Sequence, residues 1–174
     1  KNTSQARALS ACKRMYGWLE ETGQRSDNPT RFLKAPKSER KLPTLITEAQ
    51  IDALLAAPDV ETLHGLRDKA LLEVMYATGL RVTEAVKLTL SDIDLHRGSI
   101  RTIGKGDKLR LVPLGQEAAY WVERYCNESR PFLLKNKICD EVFVSQKRSG
   151  ISRQLAWMIV KEYAEAAGIA SLSP

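Results

Sequence analysis

No stretch of this 174-residue chain approaches the roughly 20 apolar residues that a membrane-crossing helix requires, so no membrane insertion is expected. The opening residues Lys1-Asn2-Thr3-Ser4-Gln5 lack the apolar core of a signal peptide, and export is not expected either. Cysteine is scarce: Cys12, Cys126 and Cys139 are odd in number, form no CxxC pair and have no neighbouring histidine, which argues against a zinc site and for reduced thiols in a cytosolic protein. Cys12 lies on the apolar stripe of a predicted helix and is expected to be packed there. The chain contains neither a Walker sequence nor GxGxxG, so nucleotide-driven chemistry has no signature. Its acids form no two-metal arrangement: Asp92 and Asp94 alternate on an apparent loop and lack partners of matching spacing, and no metal or cofactor is expected. Internal repeats and low-complexity tracts are also missing.

What is present is charge, unevenly placed. The net charge is +6, and residues 1–45 hold ten Lys/Arg against four Asp/Glu, residues 46–95 four against nine, and residues 96–153 twelve against six. Two basic blocks therefore flank an acidic one, a pattern that favours a polyanionic partner because each neutralised phosphate releases condensed counterion.

Apolar spacing predicts a first amphipathic helix over residues 4–21, with Ala8, Leu9, Cys12, Met15, Tyr16 and Leu19 on one side, Arg7, Lys13 and Arg14 on the other, and Gly23 as its stop. Phe32-Leu33 reads as a short apolar anchor. Residues 34–43 hold two prolines, four bases and one acid, an extended charged linker that marks a domain boundary. Thr47-Glu48-Ala49-Gln50 is a capping box for a helix bearing Ile51, Leu54 and Leu55 and ended by Pro58. The next helix is predicted over residues 63–78, stopped by Gly79, and a third begins near Arg81 and buries Val82, Ala85, Val86 and Leu88. Residues 99–103 and 108–114 are β-rich runs joined by Gly104-Lys105-Gly106-Asp107, a hairpin signal. A helix over 117–127 presents Ala118, Trp121, Val122 and Tyr125 to a core, Val142-Phe143-Val144 is a candidate third strand, and Ser152 caps a last helix with Leu155, Ile159 and Tyr163 that ends at Gly168. The expected fold is mainly α with a small antiparallel β-hairpin, an α+β chain.

Two segments bear on chemistry. Arg81, just after the glycine stop, carries a planar fork of donors suited to two phosphate oxygens and to the charge that grows on a phosphate under attack. Lys105 on the hairpin tip is placed to protonate a departing alkoxide. Glu84 shares a helical face with Arg81 and is placed to orient it. Both cations also have purely structural readings: Arg81 as a helix cap or a partner of Glu84, and Lys105 as a solvent-exposed tip. His64-Gly65-Leu66-Arg67 has His-x-x-Arg spacing but precedes an apolar helix and reads as an ordinary helix start, while His96 adjoins a turn and is expected to be exposed.

The runs from Leu66 through Ala77-Thr78-Gly79-Leu80-Arg81-Val82-Thr83-Glu84 and from Ile103-Gly104-Lys105-Gly106-Asp107 to Pro113-Leu114-Gly115 closely resemble the tyrosine recombinase (phage integrase) family, Xer type. Ala119-Tyr120-Trp121-Val122-Glu123 and Ser152-Arg153-Gln154 look closer to the XerD branch than to the XerC branch. The resemblance implies residues 1–35 as the last part of a helical core-binding domain, 36–46 as a basic linker and 47–174 as the first part of a catalytic domain. It implies a site-specific DNA recombinase working through a 3′-phosphotyrosyl link without a cofactor. Arg81 and Lys105 would be catalytic, Glu84 supporting, and Lys108 and Arg110 DNA-binding; Arg7, Lys13 and Arg14, read from the polar side of the first helix, form either a solvated face or a grip on the DNA backbone. The family's His-x-x-Arg helix and nucleophilic tyrosine match no position in this chain, so the 174 residues alone are expected to be inactive. The implied partners are double-stranded DNA, a sister Xer recombinase in a tetramer and a septal DNA translocase (FtsK), in the cytoplasm of a bacterium at its nucleoid. The competing readings are a non-catalytic DNA-binding module and an interaction fragment with no affinity for DNA.

Overall fold

The computed structural model describes residues 2–36, 45–103 and 109–169. The chain divides into two compact units, Lys1–Thr44 and Leu45–Pro174. The first is built on α1 (Asn2–Glu21), closed by Gly23 at φ 70° with the Gly23 amide bonded to the Glu20 carbonyl at 3.2 Å. The α1 stripe differs from expectation: no residue of the helix is buried, and Cys12 is exposed. Phe32, 89% exposed, does not act as an anchor. A single helix can bury its apolar face only against another element, and the described residues of this unit supply none.

The second unit starts with α2 (Glu48–Ala56). Thr47 Oγ1 accepts the Gln50 amide at 3.3 Å, and Gln50 Oε1 accepts the Thr47 amide at 3.1 Å, the reciprocal box that the sequence spells. Helix α3 (Leu63–Thr78) is capped by Thr62, whose Oγ1 accepts the Gly65 amide at 3.0 Å, and stopped by Gly79 in the left-handed region at φ 62°, ψ 22°. Gly65 is required by space: a Cβ there would lie 2.0 Å from the Asp59 carbonyl oxygen.

Every residue of α3 from Gly65 to Val74 is buried, four charged ones included. Buried charges persist only when paired and hydrogen-bonded. Arg67 meets Asp68 at 2.7 Å and donates to the Val144 carbonyl at 3.2 Å, and Asp68 accepts the Tyr163 hydroxyl at 3.2 Å. Lys69 meets Glu73 at 2.6 Å and donates to the Leu55 carbonyl at 2.9 Å. The bonds to Val144, Tyr163 and Leu55 tie α3 to its neighbours, and His64-Gly65-Leu66-Arg67 forms a helix start whose Arg67 is built into the core.

A three-stranded antiparallel sheet follows in the order β1 (Ile93–Asp94), β2 (Ser99–Ile103), β3 (Leu109–Pro113), with Ile100 opposite Val112 and Thr102 opposite Arg110. Strand β1 and the one-turn 3-10 helix before it, Leu90–Asp92, replace the loop expected around Asp92 and Asp94. Val142, Phe143 and Val144 are fully buried but are not the third strand. Their backbone groups are taken elsewhere: the Val142 amide by the Leu88 carbonyl, the Val144 amide by Tyr125 Oη, and the Val142 and Val144 carbonyls by the guanidinium groups of Arg130 and Arg67. Satisfied by side chains and by isolated backbone contacts, they have no need of a continuous ladder.

The one-turn helix α4 (Val82–Ala85) and helices α5 (Gln116–Glu128), α6 (Arg130–Leu134) and α7 (Arg153–Ala166) complete the unit. Helix α5 packs Ala118, Val122 and Tyr125 against α3, and the Tyr125 and Phe143 rings stack at 5.9 Å. Trp121 sits at the rim of the core, half-buried between Lys69 Nζ at 4.9 Å and Arg124 Cζ at 5.5 Å from its ring centroid. Helix α6 is too short to show periodicity and was not foreseen. Ser152 Oγ accepts the Leu155 amide at 3.1 Å and starts α7 where the sequence predicts. No described helix is long and apolar enough to cross a membrane.

Candidate active site

The left-handed stop at Gly79 reverses the chain, and buried Leu80, 6% exposed, pins the next residue to the core. Arg81 follows in extended conformation at φ −65°, ψ 149° and projects its side chain, 66% exposed, from the start of α4 (Val82–Ala85). That helix is a single turn, shorter than the pattern of apolar residues predicts, although Ala85, Val86 and Leu88 are buried as expected.

Glu84 closes the turn. Its Oε2 accepts the Arg81 amide at 2.9 Å, and its Oε1 accepts Arg81 Nη1 at 3.1 Å. The same Oε1 receives Arg110 Nη2 from β3 at 3.5 Å. The Glu84 side chain is only 14% exposed, whereas the two guanidinium groups remain largely in solvent. The Arg81 amide bond foremost, then the hydrogen bond and charge of the Arg81 guanidinium and the charge of Arg110, hold the Glu84 carboxyl below its usual range. It is ionised at neutral pH. An exposed i,i+3 pair contributes only about 0.2–1 kcal/mol to stability, so the arrangement serves placement more than folding.

Arg81, Thr83, Glu84, Lys87, Asp92 and Arg101 share the wall of a cleft of about 710 Å³ whose far side is the base of the hairpin, Thr102, Ile103 and Leu109. Both acids of the wall are committed. Glu84 holds the two arginines, and Asp92 Oδ2 accepts the Thr89 amide at 3.1 Å and the Thr89 hydroxyl at 2.6 Å. Arg101 donates to the Ser91 carbonyl at 2.9 Å and lies 3.9 Å from Asp92 Oδ1. The cleft therefore sets three cations, Arg81, Lys87 and Arg101, against two carboxylates that are each hydrogen-bonded or ion-paired.

Of the residues singled out from sequence, Arg81, Glu84 and Arg110 come together here. Lys105 and Lys108 lie outside the described residues, although Ile103 and Leu109, which flank their segment, line the Arg81 cleft. Arg7, Lys13 and Arg14 are exposed on α1. His96 is exposed, and no group of three or more His, Cys, Asp or Glu among the described residues could hold a metal ion. Sequence reasoning missed Lys87 and Arg101. The first was within reach, three residues beyond Glu84 on the same face; the second depended on knowing which side of β2 meets the cleft.

The tyrosines differ sharply. Tyr125 is buried, its phenol pushed far up by desolvation and its oxygen occupied by the Val144 amide. Burial and the neighbouring Asp68 push Tyr163 up to about 12. Neither yields a phenolate readily. Tyr76 and Tyr120 are exposed, at 62% and 53%, and neither lines the cleft.

Residues 44–174 match the model of the phage integrase family. Tyrosine recombinase XerD of Neisseria meningitidis serogroup B (strain ATCC BAA-335 / MC58) is 68% identical over 174 residues, covering 100% of this chain and 60% of that protein. Tyrosine recombinase XerD of Yersinia pestis is 50% identical over 176 residues, covering 100% of this chain and 59% of that protein. The chain thus spans about 60% of the length of these curated relatives. Among solved structures, the XerH site-specific recombinase bound to a palindromic difH substrate in a post-cleavage complex superposes with a TM-score of 0.63 at 26% identity, over 78% of this chain and 39% of that one. A single-turn helix that sets Arg81 beside Glu84 on a basic cleft, with a family match across the whole second unit, shows that this chain belongs to the phage integrase family.

Proposed function

We propose that the chain is the larger part of a site-specific DNA recombinase and supplies the phosphate-holding half of its active site. The observation that carries this is Arg81, held by Glu84 at the edge of a cleft whose acids are all committed, in a chain 68% identical to a tyrosine recombinase. Arg81 uses one of its five donors on the Glu84 side chain and keeps the others for two non-bridging oxygens of a DNA phosphate. A tyrosine oxygen attacks phosphorus, a phosphorus–oxygen bond to the tyrosine forms, and the bond to O5′ breaks. Charge gathers on the non-bridging oxygens, where Arg81 meets it. The electron pair leaves on O5′, and Lys105 gives that oxygen a proton. The bond energy is conserved in the phosphotyrosyl link, so rejoining needs no nucleotide.

The five tyrosines of this chain are not the nucleophile in this reading, which makes the 174 residues inactive alone. Lys108, Arg7, Lys13 and Arg14 hold the DNA backbone, with Arg110 contributing in part. The reading extends to a role in resolving chromosome dimers in the bacterial cytoplasm, with a sister recombinase in a tetramer on DNA and a septal translocase as activator; the two relatives named tyrosine recombinase XerD support its recombinase part. The difH substrate of XerH supports double-stranded DNA as the target.

A nicked suicide substrate carrying the recombination site tests the reading. The full-length protein traps a covalent DNA adduct, the 174-residue chain traps none, and Arg81→Ala in the full-length protein lowers adduct formation by about 10²–10³-fold. A full-length protein that binds duplex DNA with a steep salt dependence but never becomes joined to it would establish the non-catalytic DNA-binding module instead.

A further inference from the structure

We infer that Arg110 is a positioning residue for Arg81, acting through Glu84. The inference rests on the reading of Arg81 as the arginine that holds the reacting phosphate, and it goes beyond that reading by giving a strand residue a part in the rate of cleavage and not only in DNA affinity.

Arg81 and Glu84 belong to the same turn, with the Glu84 amide bonded to the Arg81 carbonyl at 2.8 Å and both side-chain contacts made within three residues. That pair fixes the two side chains relative to each other. It does not fix either relative to the opposite wall of the cleft. Arg110 does: it stands on β3, opposite Thr102 and 26 residues from Glu84 along the chain, and its Nη2 reaches the Oε1 already shared with Arg81. Thr102 is buried at 8% exposure, so the strand position paired with Arg110 is anchored in the body of the unit. Among the described residues, the Arg110–Glu84 contact is the one ion pair that joins α4 to the sheet.

Glu84 is thereby held at both oxygens by three donors, two from Arg81 and one from Arg110. A carboxylate so held has little rotational freedom, and Arg81 Nη1 is constrained with it. The other donors of the Arg81 guanidinium, which lines the cleft, are left for the phosphate. Removing Arg110 frees one side of Oε1, lets the Arg81–Glu84 pair swing as a unit, and misplaces the fork. A displacement of about 1 Å in a group that meets transition-state charge costs roughly 10²-fold in rate.

The test is a double-mutant cycle in the full-length protein, read by single-turnover adduct formation on the nicked substrate and, separately, by the Kd for intact site DNA. Arg110→Ala is expected to lower the cleavage rate about 10–100-fold while raising Kd less than about 3-fold. In a Glu84→Gln background the same change should cost less than about 2-fold more, because groups acting as one unit are not additive. Arg110→Lys should recover most of the loss, since an ammonium still reaches Oε1. If Arg110→Ala does not retain DNA binding, the cycle is run with Arg110→Gln and Arg110→Lys. Two results overturn the inference: effects of Arg110 and Glu84 that multiply, or a large rise in Kd with an unchanged cleavage rate, which would make Arg110 a backbone contact only. A wild-type protein that forms no adduct overturns the recombinase reading as well, whereas a normal wild type with multiplying effects removes this inference alone.

Discussion

Asp68 offers the sharpest test of how the second unit is held together. Changing Asp68 to Ala leaves the Arg67 guanidinium buried, with 5% of its side chain exposed, facing only the Val144 carbonyl. It also strips the Tyr163 hydroxyl of its acceptor. Burial pushes the Asp68 carboxyl up even though the Arg67 charge opposes the shift, so desolvation outweighs attraction in this pair. The pair is therefore a poor source of net stability, yet breaking it by half is costly: an uncompensated buried charge is worth about 3–5 kcal/mol. Tyr163→Phe, which removes one hydrogen bond and no charge, should cost about 0.5–1.5 kcal/mol. Replacing both members, Arg67→Met with Asp68→Leu, should recover much of the Asp68→Ala loss because neither charge is then buried. Urea denaturation at pH 7 measures all three, with Glu128→Ala in the exposed Arg124–Glu128 pair as the control near zero. An Asp68→Ala cost below about 1 kcal/mol, no larger than that of an exposed pair, would refute the reasoning.

Gly65→Ala places a methyl carbon 2.0 Å from the Asp59 carbonyl oxygen, and since backbone on both sides must move the loss should reach about 1–3 kcal/mol by the same measurement; near-neutrality would show that the turn yields freely. Acid stability provides a third check. The Glu84 carboxyl is held down in the folded chain, so its contribution is full above the ordinary glutamate range, near 4.3, and is lost as pH falls through the lowered folded value. Thermal melting followed from pH 7 downward should therefore fall less steeply below about pH 4.3 in Glu84→Gln than in the wild type, and parallel curves would count against the Glu84 geometry.

Much of the secondary structure was legible because its causes are local. The capping box at Thr47, the αL stop at Gly79 and the Ser152 cap each rest on hydrogen bonds among residues within a few positions of one another, and the helices they bound appear where periodicity placed them. The hairpin strands were legible for the same reason. Strand β1 and α6 were not, being two and five residues long, too short for a period to show; α6 is held in addition from outside itself, by the Arg130 guanidinium on the Val142 and Glu141 carbonyls. Val142-Phe143-Val144 shows the converse: the apolar run correctly announced burial, but whether buried backbone joins a sheet depends on what lies opposite.

By itself, the order of residues determined the capped starts of α2 and α7, the glycine stop of α3, the basic blocks and the resemblance around Arg81, since caps, glycine stops and motif spacing act over a few residues. Tertiary structure alone decided that Arg67, Asp68, Lys69 and Glu73 lie inside, that Cys12 lies outside, and that Arg110 and Arg81 share one oxygen of Glu84. Pattern reading places a charged residue on the solvent face by default, and only the approach of a distant partner, Tyr163 to Asp68 or β3 to α4, supplies the compensation that permits anything else.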